Sequence, residues 1–207
     1  MDELVKEIKS RGVLRSENIE KALRATDRRD FVPEDMKKYA YLDEALPIGS
    51  GQTISQPYTV VFMLELLRVS AGQEVFDIGC GSGWQTALLA HIVGKNGSVC
   101  AVELVPELCT FGEKNVAKYP ELFRKVKFFC QNAESGLPRE AAAFGGFDRI
   151  IAAAEVEKIP GSWREELKDG GIMVYPSGGS LFRETREGGE FRKEEFPGFE
   201  FVPFIYG

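Results

Sequence analysis

Apolar residues in the first third of the chain recur at helical spacing. Leu4, Val5 and Ile8 predict one short helix, and Ile19 with Leu23 a second whose N-cap falls at Ser16. Phe31-Val32-Pro33 breaks that period. Residues 46–57 (LPIGSGQTISQP) are rich in turn-formers and have no clean periodicity, which predicts a long loop. A loop of that length inside a compact domain is either functional or disordered, and its isoleucines and lack of low complexity favour function. Pro57 suits the first turn of a helix over 59–67. From Glu74 the rhythm changes, with short apolar runs predicting strands at 75–78, 98–102, 126–130, 147–151 and 171–175. Helical patterns at 84–93, 106–118 and 161–167 alternate with them. Such alternation implies an α/β fold with a mostly parallel sheet, right-handed crossovers and helices on both faces. The end differs again: 181–186 and 190–195 around Gly188-Gly189 predict an antiparallel β-hairpin, and 199–204 a last strand.

A length of 207 residues suits one domain, with the N-terminal third as a helical cap. A hydrophobic share of 43% is enough to bury a full core. The net charge of −6 argues against a nucleic-acid partner, which demands basic surface. No apolar run reaches the roughly 18 residues of a membrane span. The start, Met1-Asp2-Glu3-Leu4, lacks the basic and apolar regions of a signal peptide, so the expected compartment is the cytoplasm. A monomer is expected. Cys80, Cys100, Cys109 and Cys130 are scattered, with no pair at the gap of a zinc or redox motif. His91, the only histidine, falls inside a helical apolar run. No metal site is expected, nor chemistry that rests on a histidine base.

Candidate chemistry begins where the first core strand hands over to a helix, at Asp77-Ile78-Gly79-Cys80-Gly81-Ser82-Gly83. Ligands collect at the carboxyl ends of such strands, and glycines there let ligand atoms approach the backbone. A glycine loop alone is weak, because several cofactors use one. This one departs from the Gly-x-Gly-x-x-Gly dinucleotide spacing and has no Lys-Ser/Thr for a P-loop. Asp77, just before the loop, is ill placed to face a diphosphate. It suits a ligand carrying an ammonium and a sulfonium, as S-adenosylmethionine does. Glu103 closes the second strand, where a carboxylate can accept from both ribose hydroxyls. The bland alternative is that both acids merely end strands; taken with the glycine spacing, they favour the cofactor. After the third strand, Asn132 beside Ala133 stands where methyltransferases often place an acid for the adenine amino group, and its side-chain oxygen can accept that bond.

Several further segments, in order and spacing, resemble the protein-L-isoaspartate methyltransferases from about residue 28 to 204. They are Asp30-Phe31-Val32-Pro33, Leu46-Pro47-Ile48-Gly49, Gly51-Gln52-Thr53-Ile54-Ser55-Gln56-Pro57, Phe147-Asp148, Ile159-Pro160, Gly170-Gly171 and Phe201-Val202-Pro203. The Gly-Gln-Thr-Ile-Ser-Gln-Pro run is the most diagnostic. The resemblance implies a Rossmann-like class I methyltransferase fold. Residues 1–70 would form the cap and substrate loop, and residues 71–207 the cofactor-binding core. It also implies a substrate, the free α-carboxylate of an L-isoaspartyl residue in a protein or peptide. Methyl esterification of that group lets the main chain close to a succinimide, part of which opens to normal aspartate. A carboxylate with a pKa near ~4 is already a nucleophile at neutral pH, so the scarcity of histidine is no obstacle.

By the same resemblance Ser55 orients the acceptor carboxylate, while Thr53, Ile54 and Val202 help form its site. Glu200 stands where many relatives carry Arg or an apolar residue, and Leu181 where they commonly have Gln. Ala153-Ala154-Glu155 and Trp84 also depart from the usual pattern. Two alternatives therefore stay open. One is a methyltransferase of the same family acting on a different carboxylate; the other is a non-catalytic module that binds S-adenosylmethionine or a peptide.

Overall fold

The computed structural model describes residues 1–207. Helices α1 (Asp2–Ser10) and α2 (Glu17–Ala25) bury Leu4, Val5 and Ile8, and Ile19, Ala22 and Leu23, the apolar stripes that the sequence pattern marks. Ser16 occupies the N-cap of α2 but does not cap it. Its hydroxyl and amide both turn to the Glu65 carboxylate, at 2.7 Å each. Two 3-10 turns follow, at Arg28–Phe31 and Glu34–Tyr39.

The predicted loop at 46–57 is instead mostly a two-stranded antiparallel hairpin, β1 (Leu46–Gly49) and β2 (Gln52–Ile54). Gly49, Ser50 and Gly51 all take positive φ at its turn. Leu46, Ile48 and Ile54 are buried while Pro47 and Thr53 face out. That two-residue alternation is masked in the sequence by a proline inside one strand and by the glycines of the turn. Helix α3 (Pro57–Leu67) then enters with Pro57 in its first turn.

The core is a seven-stranded sheet ordered β5-β4-β3-β6-β7-β8-β9. Its parallel part comprises β3 (Glu74–Ile78), β4 (Ser98–Glu103), β5 (Val126–Cys130), β6 (Phe147–Ala152) and β7 (Leu167–Ser177). Strands β8 (Ser180–Glu187) and β9 (Glu190–Pro197) add an antiparallel hairpin at one edge. Helices α4 (Trp84–Val93), α5 (Pro106–Ala117) and α8 (Gly161–Glu166) fall where expected. The short α6 (Pro120–Phe123) and α7 (Pro138–Phe144) are additions that too few residues signalled. No helix is long and apolar enough to cross a membrane.

Alternation along the strands divides the core in two. Val75, Val99, Ile151, Ile172 and Val174 pack with α3, α4, α5 and the N-terminal helices on one face. Phe76, Ile78, Cys100, Val102, Ile150 and Met173 pack with α7, α8 and Trp163 on the other. Residues 199–204 do not extend the sheet. Beyond Pro197 they make one bridge, between Pro203 and Glu155, and run across the strand ends instead of beside an edge. Pro203 has no N–H with which to continue a ladder.

Candidate functional site

The chain leaves β3 for β4 and β5 on one side, and β6 returns to pair with β3 on the other. This reversal opens a crevice at the carboxyl ends of β3 and its neighbours, where open α/β sheets bind their ligands. The glycine loop crosses it. Gly79 and Gly81, at φ 74° and 49°, line the cleft there. A Cβ on Gly81 would come to 3.4 Å from Ile48 of the N-terminal hairpin, so the loop and the cap meet closely here. Gly83 does something else. A Cβ there would meet the Gly112 carbonyl at 2.8 Å and Val116 at 2.9 Å, so this glycine lets α5 approach the loop and does not line the cleft.

The two acids also separate. Glu103 lies on the cleft wall, 7% exposed, and its carboxylate accepts from the amides of Gly81 and Val105 at 2.9 Å each. These two bonds fix the carboxylate while leaving lone pairs directed to the cleft. Asp77 is fully buried beneath the loop, outside the cleft lining. Gln85 Nε2 donates to one of its oxygens at 2.8 Å and Thr86 Oγ1 to the other at 2.6 Å, both from the first turns of α4. Burial raises its pKa from 3.8 to about 6, against the pull of these two hydrogen bonds. Asp77 therefore holds the start of α4 and makes no direct contact through the cleft lining.

At the end of β5, Asn132 and Ala133 line the cleft beside Gln131. Asn132 Oδ1 already accepts from the Glu134 amide at 2.8 Å, and its Nδ2 donates to the Ile205 carbonyl at 2.9 Å. The side chain thus ties down the C-terminal segment, keeping one oxygen lone pair for a ligand. Glu155 fastens the same segment. Its amide donates to Val202 O at 2.8 Å, and its carbonyl accepts from Phe204 N at 2.7 Å. Phe204 packs edge-on to Trp163 at 5.4 Å, and Tyr206 bonds the backbone of Lys158 at both ends. Residues 202–205 become a strap along one wall of the cleft.

Thr53, Ile54 and Ser55 also line the cleft. A second, open groove adjoins the cleft and shares Thr53, Ser55, Ala153 and Val202 with it. Of the positions marked in the sequence, Thr53, Ile54, Ser55, Gly79, Gly81, Glu103, Asn132, Ala133 and Val202 thus meet at one cleft. Glu200 is exposed and faces the groove, whereas Leu181 is buried between Pro176 and Phe196 of the hairpin and reaches neither chamber.

Arg28 carried no signal in the sequence beyond standing next to Asp30-Phe31-Val32-Pro33. It is wholly buried, with its guanidinium on the carbonyls of Ala40, Leu42, Glu44 and Ser55 at 2.8 to 3.2 Å, and it lies 5.4 Å from the Trp84 ring. Burial lowers its pKa to about 10, so the group stays charged at neutral pH. The three buried cysteines are held as thiols. Burial raises the Cys100 and Cys109 thiols to about 12 and drives Cys80 well up, while burial pushes His91 down toward its neutral form. The cleft therefore offers binding and orientation to a substrate that brings its own nucleophile.

The sequence matches the family model described as "Protein-L-isoaspartate(D-aspartate) O-methyltransferase (PCMT)" over residues 1–206. It is 40% identical over 209 residues to a protein-L-isoaspartate O-methyltransferase of Methanopyrus kandleri, covering 99% of this chain and 90% of that one. A protein of the same name from Pyrococcus horikoshii is 36% identical, covering 97% and 90%. Among solved structures, a Plasmodium falciparum chain assigned as a protein-L-isoaspartate O-methyltransferase, in complex with S-adenosyl-L-homocysteine, aligns with a TM-score of 0.88. It shares 25% identity and covers 98% of this chain and 97% of that one. Matched along nearly its whole length, on a mostly parallel sheet closed by an antiparallel hairpin, the chain belongs to the protein-L-isoaspartate(D-aspartate) O-methyltransferase family.

Proposed function

We propose that this protein methylates the free α-carboxylate of L-isoaspartyl residues with S-adenosylmethionine, opening a repair route through a succinimide. The observation that carries this reading is the two-chambered site. A cleft on the glycine loop and a groove beside it meet at Thr53, Ser55, Ala153 and Val202. Family membership supports the same acceptor.

The cleft suits the cofactor by its donor set. Positive-φ glycines expose backbone at Gly79 and Gly81, and Glu103 presents a fixed carboxylate to paired hydroxyls. Asp77 adds buried negative charge below the loop, favourable to a cationic ligand. Asn132 and Ala133 would border the adenine, with the Asn132 oxygen as acceptor. When bound, S-adenosylmethionine supplies a methyl group on a positively charged sulfur.

The protein's own work is then positioning. A carboxylate acceptor is ionised at neutral pH and requires no base. At the junction Ser55 orients it, and Thr53, Ile54 and Val202 shape the contact and exclude water. On this reading the chain works as a single methyltransferase domain, residues 1–70 supplying the cap and acceptor wall and residues 71–207 the cofactor core. The test is methyl transfer from labelled cofactor to an isoaspartyl peptide and to its normal aspartyl twin. Transfer to the first alone is expected; equal or absent transfer to both would overturn the assignment.

A further inference from the structure

The unpaired charge of the acceptor groove is of one sign. Its charged lining residues are Arg11, Asp43, Glu44 and Glu200. Arg11, though partly exposed, already has a partner. It pairs with Asp43 and lies over the Tyr58 ring at 4.1 Å. Asp43 is likewise engaged, accepting from Gln56 Nε2 at 3.0 Å and from the Tyr58 amide at 2.7 Å. That pair cancels within the wall. What remains is Glu44 and Glu200, both exposed and neither in an ion pair with a neighbour.

Their backbones are anchored next to the junction of groove and cleft. One nitrogen of Arg28 donates to both Glu44 O and Ser55 O, which sets Glu44 close to the residue that orients the acceptor. Glu200 precedes by two residues Val202, whose carbonyl is held by the Glu155 amide at 2.8 Å. The carboxylates are thus fixed at their Cα atoms and free at their tips, as suits contact with variable side chains of a bound peptide.

From this we propose that Glu44 and Glu200 make the groove select isoaspartyl sites flanked by basic residues, an inference that rests on the groove being the acceptor site. An isoaspartyl carboxylate enters a groove with two unpaired carboxylates and no unpaired cation. A neighbouring Lys or Arg on the acceptor offsets that repulsion, and a neighbouring acid adds to it. Exposed charge pairs are weak, so each carboxylate contributes about a two- to fivefold change in affinity. The contact is the same before and during transfer, so it enters KM and leaves kcat nearly level across acceptors.

The experiment compares isoaspartyl peptides that differ only in having Lys, Ala or Glu beside the isoaspartyl residue, on either side, with the full-length protein. The expected KM order is Lys below Ala below Glu, with the spread shrinking in high salt as the charges are screened. In the E44Q/E200Q double variant the Glu-to-Lys ratio of KM falls toward one, and the E44K/E200K double variant inverts the preference. A flank-independent KM with brisk transfer to the Ala peptide overturns the selectivity and leaves the isoaspartyl reading standing. A ratio that persists in E44Q/E200Q also overturns it. No transfer even to the Ala peptide sinks the isoaspartyl reading and this inference together.

Discussion

Arg28 holds the carbonyl of Ser55 at 3.1 Å through the same nitrogen that bonds Glu44 O at 2.9 Å. Its other terminal nitrogen binds Ala40 O and Leu42 O. A single buried side chain therefore ties the 40–44 run to Ser55 and fixes the acceptor wall from behind. No carboxylate bonds it; four carbonyl dipoles and the Trp84 ring compensate its charge.

Arg28→Lys keeps the charge but offers only one nitrogen where the guanidinium offers two bonded ones. At least one buried carbonyl loses its donor, and stability falls by about 1–3 kcal/mol. Turnover falls as well, because Ser55 loses its anchor. Urea unfolding with linear extrapolation checks the first part and a steady-state assay the second; unchanged kcat in a destabilised variant would break the link between Arg28 and Ser55.

Ser55→Ala leaves the affinity for S-adenosylhomocysteine within about twofold and lowers turnover by roughly one to two orders of magnitude, the scale of misplacing a reactant. Calorimetric binding and single-turnover transfer separate the two quantities. A collapse of cofactor affinity would show that the hydroxyl serves the cleft and not the acceptor.

Asp77→Asn tests the buried acid. With its folded pKa raised from 3.8 to about 6, Asp77 binds its proton more tightly folded than unfolded. Its contribution to stability is most favourable below pH 3.8 and is lost as pH rises through 6. At pH 7 the ionised group costs about 2–3 kcal/mol, at 1.36 kcal/mol per pKa unit. The Asn variant, able to keep partners in Gln85 and Thr86, is expected to unfold at higher denaturant than wild type at pH 7, with the gap closing toward pH 4. Its affinity should drop more for S-adenosylmethionine than for S-adenosylhomocysteine, since only the former carries the sulfonium. Equal losses for the two ligands would refute the electrostatic role.

Gly83→Ala forces a Cβ against the Gly112 carbonyl at 2.8 Å, at a φ of 82°. Neither backbone yields easily, and an expected loss of about 2–4 kcal/mol follows from the clash and the left-handed conformation together. Gly81→Ala, whose nearest neighbour is the flexible tip of Ile48 at 3.4 Å, costs less stability but crowds the cleft. Unfolding curves of the two variants, beside cofactor titrations, should rank them in opposite order.

The alternating strands and helices after Glu74, the C-terminal hairpin, and the positions of Glu103, Gly79 and Gly81 were legible in the chain itself. Each rests on local physics: two-residue or helical periodicity, and the conformational freedom of glycine at a strand end. The resemblance centred on residues 46–57 also marked Thr53, Ile54 and Ser55 for the wall that they occupy. Other features depend on contacts between residues far apart in sequence. That Asp77 points under α4 and not into the cleft was decided by Gln85 and Thr86 closing over it. That 46–57 pairs as a hairpin was decided by burial of Ile48 and Ile54 against the core, which no local period announced. The segment at 199–204 became a strap instead of a strand because Glu155, at the end of β6, bonds Val202 and Phe204 across the strand tips. Arg28 gave least warning of all, since a lone arginine in sequence reads as surface. Only the folded chain brings four carbonyls to it, and a buried charge survives only where its surroundings supply such partners.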